Sequence, residues 1–156
     1  MAINKVKSYL KKFNLENKIQ EFPTSSATVE LAAQALNCEP ERIAKTMSFI
    51  VDKKPILIVL AGNIKIDNSK YKTEFHTKAK MIPFDEVETI IGHAPGGVCP
   101  FGINEGINVY LDESLKKYKT VFPACGSSNS AIELSILELE KISNYSKWIN
   151  VGKENN

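Results

Sequence analysis

The chain has 156 residues, 43% hydrophobic and 24% charged, which is the composition of a globular protein long enough to bury a core. Its net charge of +2, with Arg42 as the single arginine, gives no electrostatic indication of a nucleic-acid-binding protein. No apolar run approaches the roughly 20 residues of a membrane span, and the lysine-rich first residues lack a signal-peptide core. We therefore expect a cytoplasmic protein that contacts no membrane.

Apolar residues at helical spacing predict an amphipathic first helix within residues 1–13, and Ser26 or Thr28 can cap a second helix. Pro40 suits the first turn of a third, short helix, where its missing N–H costs little. After the first, the predicted helices span residues 24–36, 39–45, 67–75, 84–91, 113–118 and 137–142.

Strands are predicted between these helices. Residues 46–51 and 55–62 flank a short turn and predict a hairpin, and residues 55–62 are apolar on both faces, as in a central strand. The irregular interleaving, with no internal repeat or linker, predicts one domain over residues 1–156 of the mixed α/β (α+β) class, with a sheet flanked by helices. The predicted strands span residues 18–22, 46–51, 55–62, 79–82, 107–111, 120–124 and 131–135.

Lys45 is the most informative single side chain, and it has two interpretations. If a strand begins at Lys45, alternation places it on one face with Met47 and Phe49, where an unpaired ammonium would need a partner or a ligand. If the preceding helix ends at Lys45, the charge suits the helix C-terminus and faces water. The sequence leaves both open.

The stretch "GGVCPFG", residues 96–102, is rich in residues that constrain the backbone. Gly96 and Gly97 allow a ligand to approach the main chain closely, and Pro100 stiffens the exit. A rigid run of free N–H groups can stabilise an oxyanion or a carboxylate. The alternative is a tight structural connection. The patterns GxGxxG and GxxxxGK[ST] are absent, so no nucleotide cofactor is predicted.

Other residue types give weaker indications. The two histidines, His76 and His93, lie in no recognisable triad, and "CGSSNS" is not a G-x-S-x-G elbow. Cys99 could be a nucleophile but has no evident histidine partner, and the three cysteines form no zinc-binding pattern, so no metal is predicted. If the protein is an enzyme, we expect it to work by positioning and backbone electrostatics. A lysine-rich stretch forms either a solvated face or a phosphate-contacting surface: Lys65, Lys70, Lys72, Lys78 and Lys80.

Four segments in order, "SSATVELAAQALNCEPERIAKTMSFIV", "ILIVLAGN", "IIGHAPGGVCPFG" and "TVFPACGSSNSAIEL", resemble the YbaK/prolyl-tRNA-editing domain family. The resemblance covers about residues 20–142. Its two strongest parts are the lysine of "IAKT" and the GxxxP loop, Gly96 to Pro100. Together, at this spacing and with "VLAG" between them, they are fairly specific.

The resemblance implies a mixed, curved β-sheet flanked by helices and a stand-alone trans-editing hydrolase. Members deacylate tRNA that carries the wrong amino acid, typically alanine or cysteine on proline tRNA. The implied partners are the acceptor end of mischarged tRNA and prolyl-tRNA synthetase, with no cofactor. By the same resemblance, catalysis is assigned to Lys45, Gly96 and Gly97. Substrate contacts are assigned to Phe22, Thr46, Gly62, Val98, Cys99, Pro100, Phe101, Gly126 and Ser127.

One departure concerns the turn before the "IEL" strand. Many relatives have a glycine-arginine-glycine turn there, whereas this chain has "GSSNSA", residues 126–131. Amino-acid preference therefore cannot be carried over. Two further hypotheses remain: a non-catalytic binder of aminoacyl-tRNA, and a small-molecule hydrolase with Cys99 as its nucleophile.

Overall fold

The computed structural model describes residues 2–154. Five α-helices lie within this range: α1 (Ala2–Lys11), α2 (Val29–Leu36), α3 (Asn68–Phe75), α4 (Val87–Ile91) and α5 (Ile136–Ser143). Short 3-10 helices span Glu16–Lys18, Pro40–Arg42, Phe84–Glu86 and Glu113–Lys117. No helix in the described part of the chain is both long and apolar enough to cross a bilayer.

The strands form one mixed sheet and two small ribbons. The six-stranded sheet has the order β8-β6-β2-β3-β5-β9 and combines antiparallel pairs (β2–β3, β6–β8) with parallel ones (β2–β6, β3–β5, β5–β9). The ribbons pair β1 with β7 and β4 with β10. These strands are β1 (Gln20–Glu21), β2 (Ile43–Val51), β3 (Lys54–Ala61), β4 (Ile64–Ile66), β5 (Asn108–Asp112), β6 (Thr120–Pro123), β7 (Ser130–Ala131), β8 (Leu134–Ser135), β9 (Lys147–Ile149) and β10 (Gly152–Glu154).

The predicted mixed α/β fold is confirmed, and so is its central hairpin. Asp52 and Lys53 both have positive φ, 50° and 66°, and join β2 to β3 through a two-residue turn. Primed turns of this kind match the twist of the flanking strands. β3 lies between β2 and β5, and Leu57 to Leu60 are completely buried, as the doubly apolar pattern predicts.

The helices cover this sheet with the residues that the periodicity selects. Val6 and Leu10 of α1 are fully buried in the main core. Thr28 caps α2, since its Oγ1 accepts a hydrogen bond from the Leu31 amide at 3.2 Å. Ser135 and Glu138 form a reciprocal capping box at the start of α5.

Several predicted elements are wrong in extent or type. The helix over 39–45 is only the 3-10 turn Pro40–Arg42, because β2 already begins at Ile43. The strand over 79–82 is a single bridge between Phe49 and Met81, because Pro83 and the following 3-10 helix turn the chain away. The helix over 113–118 is a 3-10 helix, and the strand over 131–135 divides into β7 and β8. Three short strands were not predicted: β4, β9 and β10.

Candidate functional site

A cavity of about 520 Å³ opens at one edge of β2. On this edge, β6 pairs only with Ile43 and Ala44, while Ile50 donates to the Lys80 carbonyl at 2.9 Å and Ser48 accepts from the Ile82 amide at 3.2 Å. The gap between these two partners leaves the middle of β2 facing the cavity. Other walls come from residues 26–29, from the lip (residues 81–84), and from Gly96 and Val98 of the glycine loop (residues 96–102). Further lining residues are Ala32, Val87, Pro95, Phe122, Ala124, Ser130 and Ala131.

Lys45 lies within β2 and lines this cavity, which decides between its two interpretations in favour of the strand. Its Nζ lies 3.4 Å from the carbonyl oxygen of Gly62, and it forms an ion pair with no carboxylate of residues 2–154. Burial lowers the pKa of Lys45, and the charge of Glu30 partly opposes that shift. The half-buried ammonium thus retains donors for an oxygen-rich ligand.

Gly62 is placed behind Lys45 by close backbone packing. A Cβ at this position would lie 2.1 Å from the Pro40 carbonyl oxygen and 2.8 Å from Cγ1 of Val29. A side chain therefore cannot fit without moving the backbone. Gly62 presents its carbonyl oxygen to Lys45 and does not itself line the cavity.

The glycine loop contributes two residues, Gly96 and Val98, to the lining of the same cavity. Gly96 lines the cavity with φ of +91°, and a Cβ there would come 3.0 Å from Cβ of Ala27. The Gly97 amide already donates to the Ala94 carbonyl at 3.0 Å. The amides of Gly96 and Val98, both cavity-lining residues, donate to no acceptor among residues 2–154. Within the glycine loop, these two N–H groups remain available to a ligand.

The serine turn, residues 126–131, holds the entry loop, residues 22–28, in place. Asn129 Nδ2 donates to the Phe22 carbonyl at 2.9 Å, and the Phe22 amide donates to the Asn129 carbonyl at 2.8 Å. The Ser128 carbonyl accepts the Ser26 amide at 2.6 Å. Ser127 Oγ bonds in turn to Asn129 Oδ1 at 3.0 Å. Where many relatives have a glycine-arginine-glycine turn, this chain thus has a polar turn. Its hydrogen bonds form a clamp on the adjacent entry loop.

Thr46 carries an unused polar group at the cavity. Its Oγ1 is buried and forms no hydrogen bond within residues 2–154. A buried hydroxyl without a partner is costly, and such groups are rare in folded proteins. Thr46 lines the cavity, so the hydroxyl can bond a ligand.

Cys99 belongs to the glycine loop and is completely buried, as are Phe101 of the same loop and the neighbouring His93. The ring nitrogen Nε2 of His93 lies 2.7 Å from the Phe101 carbonyl oxygen and 3.5 Å from the Cys99 sulfur. Because a carbonyl can only accept, Nε2 carries the proton there and cannot take one from the thiol. Burial raises the pKa of Cys99 to about 12, which argues against a nucleophilic role.

The structure therefore brings part of the predicted set together. Lys45, Thr46, Gly96 and Val98 line the cavity. Among the lining residues that were not predicted, Ser26 and Ala27 lie in a segment of the resemblance but carry no chemical motif, and Met81 and Phe84 lie outside all four segments. The other predicted residues do not line it, and the catalytic role of Gly97 and the substrate roles of the rest stay predictions: Phe22, Gly62, Gly97, Cys99, Pro100, Phe101, Gly126 and Ser127.

The sequence model described as "Aminoacyl-tRNA editing domain" matches residues 24–142, which include every segment that lines the cavity. The chain belongs to this family. The resemblance inferred from the sequence is thereby confirmed at the level of the editing-domain family.

Relatives of this editing domain occur alone and within larger proteins. The chain is 49% identical to the uncharacterized protein YwhH of Bacillus subtilis (strain 168), over 99% of both chains. It is 26% identical over 112 residues to a proline–tRNA ligase of Bacillus cytotoxicus, of which it spans only 20%. A crystal structure of a candidate trans-editing enzyme for prolyl tRNA synthetase superposes with a TM-score of 0.87 at 27% identity, over 97% of each chain.

Proposed function

We propose that this editing domain is a trans-acting deacylase that hydrolyses the ester between a small, wrongly attached amino acid and tRNA, in the first place proline tRNA. One observation carries the proposal: in an editing-family fold, a single cavity is lined by Lys45 and by Gly96 and Val98, two loop residues whose amides have no acceptor among residues 2–154. The match to the trans-editing candidate over 97% of each chain, and the likeness to a segment of proline–tRNA ligases, support this choice of tRNA. Localisation in the cytoplasm belongs to the same proposal.

The proposed reaction is the attack of water on the ester carbonyl. The carbonyl oxygen gains negative charge as the water oxygen bonds to carbon, and the amides of Gly96 and Val98 stabilise that oxyanion. The carbon–oxygen bond to the ribose then breaks, and the ribose oxygen takes the proton that the water gave up. The products are the free amino acid and uncharged tRNA. An aminoacyl ester is already reactive, so positioning and oxyanion stabilisation suffice.

Lys45 and Thr46 orient the substrate in this scheme. The Lys45 ammonium bonds oxygens of the terminal ribose or its phosphate, opposite the loop amides. The unpaired Thr46 hydroxyl accepts a hydrogen bond from the α-amino group or donates to a hydroxyl of the amino-acid side chain. We propose that the cavity accepts alanine, cysteine or serine, and that its walls exclude the proline ring.

Within residues 2–154, the residues that line the cavity include no evident general base, so we expect the substrate to supply one. Among the described residues that line the cavity, Lys45 is the one charged side chain, and there is no carboxylate or imidazole. We propose that the neighbouring hydroxyl of the terminal ribose activates the water. The same absence favours a second candidate function, a binder of aminoacyl-tRNA that protects the ester without cleaving it.

The test follows ester loss from proline tRNA charged separately with alanine, cysteine, serine and proline. We expect rapid loss of one mischarged species, spared prolyl-tRNA and a rate lowered by about a hundredfold in Lys45→Ala. Lys70→Ala is the matched control, because Lys70 also donates to a glycine carbonyl, that of Gly152 at 2.8 Å, away from the cavity. Protection of the ester without its loss would instead establish the binder.

A second substrate tests which group acts as the general base that activates the water. Alanyl-tRNA whose terminal ribose lacks the neighbouring hydroxyl should bind normally and resist cleavage. Cleavage at the normal rate would show that a protein group activates the water.

A further inference from the structure

An exposed apolar lip borders the cavity. Phe84 is 78% exposed and Met81 is 54% exposed, although both side chains line the cavity wall. A large aromatic ring that faces water over most of its surface gains little from folding. Because Phe84 lies at the mouth of the cavity, a flat apolar group of a ligand can stack on its exposed ring.

The lip is held rigidly from both sides. Met81 forms a backbone bridge to Phe49 of β2, and the adjacent Ile82 is buried and donates to the Ser48 carbonyl at 3.2 Å. Beyond Phe84, the 3-10 helix leads into α4, which is anchored by buried Val87. The ring is therefore presented by a fixed backbone, so little conformational entropy is lost when it binds a ligand.

The size of the cavity exceeds what a small amino acid fills. A volume of about 520 Å³ is typical of pockets for much larger ligands, which span about 300–1,000 Å³. An alanyl or cysteinyl group has only a few heavy atoms. If its ester lies between Lys45 and the glycine loop, the ribose and base joined to that ester must occupy the rest of the cavity and its mouth.

We propose that Phe84, supported by Met81, is a stacking platform for the adenine at the 3′ end of the tRNA. This inference rests on the proposed function. Aromatic side chains stack on any base, and the polarizable thioether of methionine adapts to an aromatic edge. Stacking here fixes the terminal nucleoside, so that the ester reaches the amides of Gly96 and Val98 in one orientation.

The charges around the lip assign a direction to the RNA strand. Lys78 and Lys80 are exposed immediately before the lip, and Asp85 and Glu86 are exposed immediately after it. Lysines attract phosphates and carboxylates repel them, so the phosphodiester chain leaves the cavity on the side of Lys80. The uncharged adenine lies between these two sets of charges.

The experiment uses an uncharged RNA hairpin that mimics the acceptor stem and ends in CCA, with the fluorescent base 2-aminopurine in place of the terminal adenine. Stacking on Phe84 should quench its fluorescence when the protein is added. We expect Phe84→Ala to abolish the quenching and to weaken binding by about tenfold to a hundredfold. Phe84→Tyr should restore both. Leu137→Ala is the matched control, since Leu137 is also 78% exposed but lies on α5, outside the lining.

The outcomes separate this inference from the proposed function. Normal quenching and affinity in Phe84→Ala would overturn the platform even if the protein deacylates tRNA. Quenching that depends on Phe84 would support the platform even if no charged tRNA is cleaved. With an active enzyme, the KM for mischarged tRNA should rise in Phe84→Ala more than kcat falls. If Phe84→Ala weakens binding to prolyl-tRNA synthetase and leaves the RNA signals unchanged, the lip is a protein-docking surface and the proposal fails.

Discussion

The main chains of Gly97 and Gly126 lie in direct contact, with the Gly126 amide nitrogen 2.9 Å from the Gly97 carbonyl oxygen. A Cβ at Gly97 would lie 2.7 Å from the Gly126 carbonyl carbon and 2.6 Å from the Ser127 nitrogen. The glycine loop and the serine turn are therefore joined at a point where neither has room for a side chain. Through this contact, the wall that carries the loop amides depends on a turn far away in the sequence.

Gly97→Ala should consequently push the glycine loop and the serine turn apart, because the added Cβ would overlap backbone atoms of Gly126 and Ser127. Overpacking against backbone atoms costs about 1–3 kcal/mol, and we expect a decrease of that size in the free energy of unfolding together with loss of deacylation. Gly106→Ala is a control of similar cost to stability, about 1–2 kcal/mol, because Gly106 has φ of +83° but no atom within 4 Å of the added Cβ. Urea unfolding and ester hydrolysis are measured on both variants. Equal activity of the two would contradict the role of the contact.

Lys45→Met should separate stability from activity. The pKa of Lys45 is lower in the folded protein than in the unfolded chain, so between the two values the unfolded chain binds more protons and stability rises with pH. The charge is thus unfavourable for folding below that window. We expect Lys45→Met to unfold at an equal or higher urea concentration near neutral pH, to lose this pH dependence, and to lose deacylation. A clear loss of stability would show that Lys45 has a structural role.

Thr46→Val should remove an unpaired buried hydroxyl. Burying such a group costs about 1–3 kcal/mol, so we expect the variant to be at least as stable as the parent protein. If the hydroxyl bonds the substrate, the KM should rise at the same time. Thr73→Val is the control, because the Thr73 hydroxyl is paired with the Ser69 carbonyl at 3.1 Å on α3 and should not affect catalysis. An unchanged KM in Thr46→Val would remove Thr46 from substrate binding.

Alkylation with iodoacetamide tests which of the three thiols are accessible and reactive in the folded protein. Burial raises the pKa of all three thiols, but Cys99 and Cys125 are completely buried whereas Cys38 is partly exposed. Iodoacetamide reacts with exposed thiolates, so native protein should gain one adduct, on Cys38, and retain its activity. Peptide mass spectrometry identifies the site. Modification of Cys99 in parallel with inactivation would revive the nucleophile hypothesis.

The fold was predictable where the sequence pattern is long or strongly periodic. The apolar run 55–62 and the repeat in residues 1–13 correspond to the central strand and the first helix, since both patterns extend over enough residues to stand out from their surroundings. Three-residue strands such as β9 and β10 carry no such pattern. Gly152 is an example: it pairs with Ile66 because its missing side chain lets Ile64 pack close by, a contact that only the folded chain reveals.

The site was predictable only for residues that carry a motif. Lys45 and Gly96 stand out by their sequence context and match the family's motifs, and both line the cavity. Phe84 could not be recognised, because the sequence around it indicates an ordinary helix start. Its place at the cavity depends on the short pairing of Met81 with Phe49, which leaves the middle of the β2 edge open. An incomplete strand pairing of this kind is a tertiary property.

The clamp between the entry loop and the serine turn sets the order in which the site can form during synthesis. Ser26 and its partner Ser128 are separated by 102 positions. The ribosome therefore completes β2 and the entry loop long before the serine turn that holds the entry loop in place. Bringing two residues so far apart in the sequence together costs chain entropy. The pairings of β6 with β2 and of β7 with β1 offset this cost, and they form only after β6 and β7 have been synthesised. A nascent or truncated chain that ends before Asn129 therefore has Lys45 but no ordered entry loop. Such a chain also lacks Ser130 and Ala131, which line the cavity, so we expect its cavity to be incomplete.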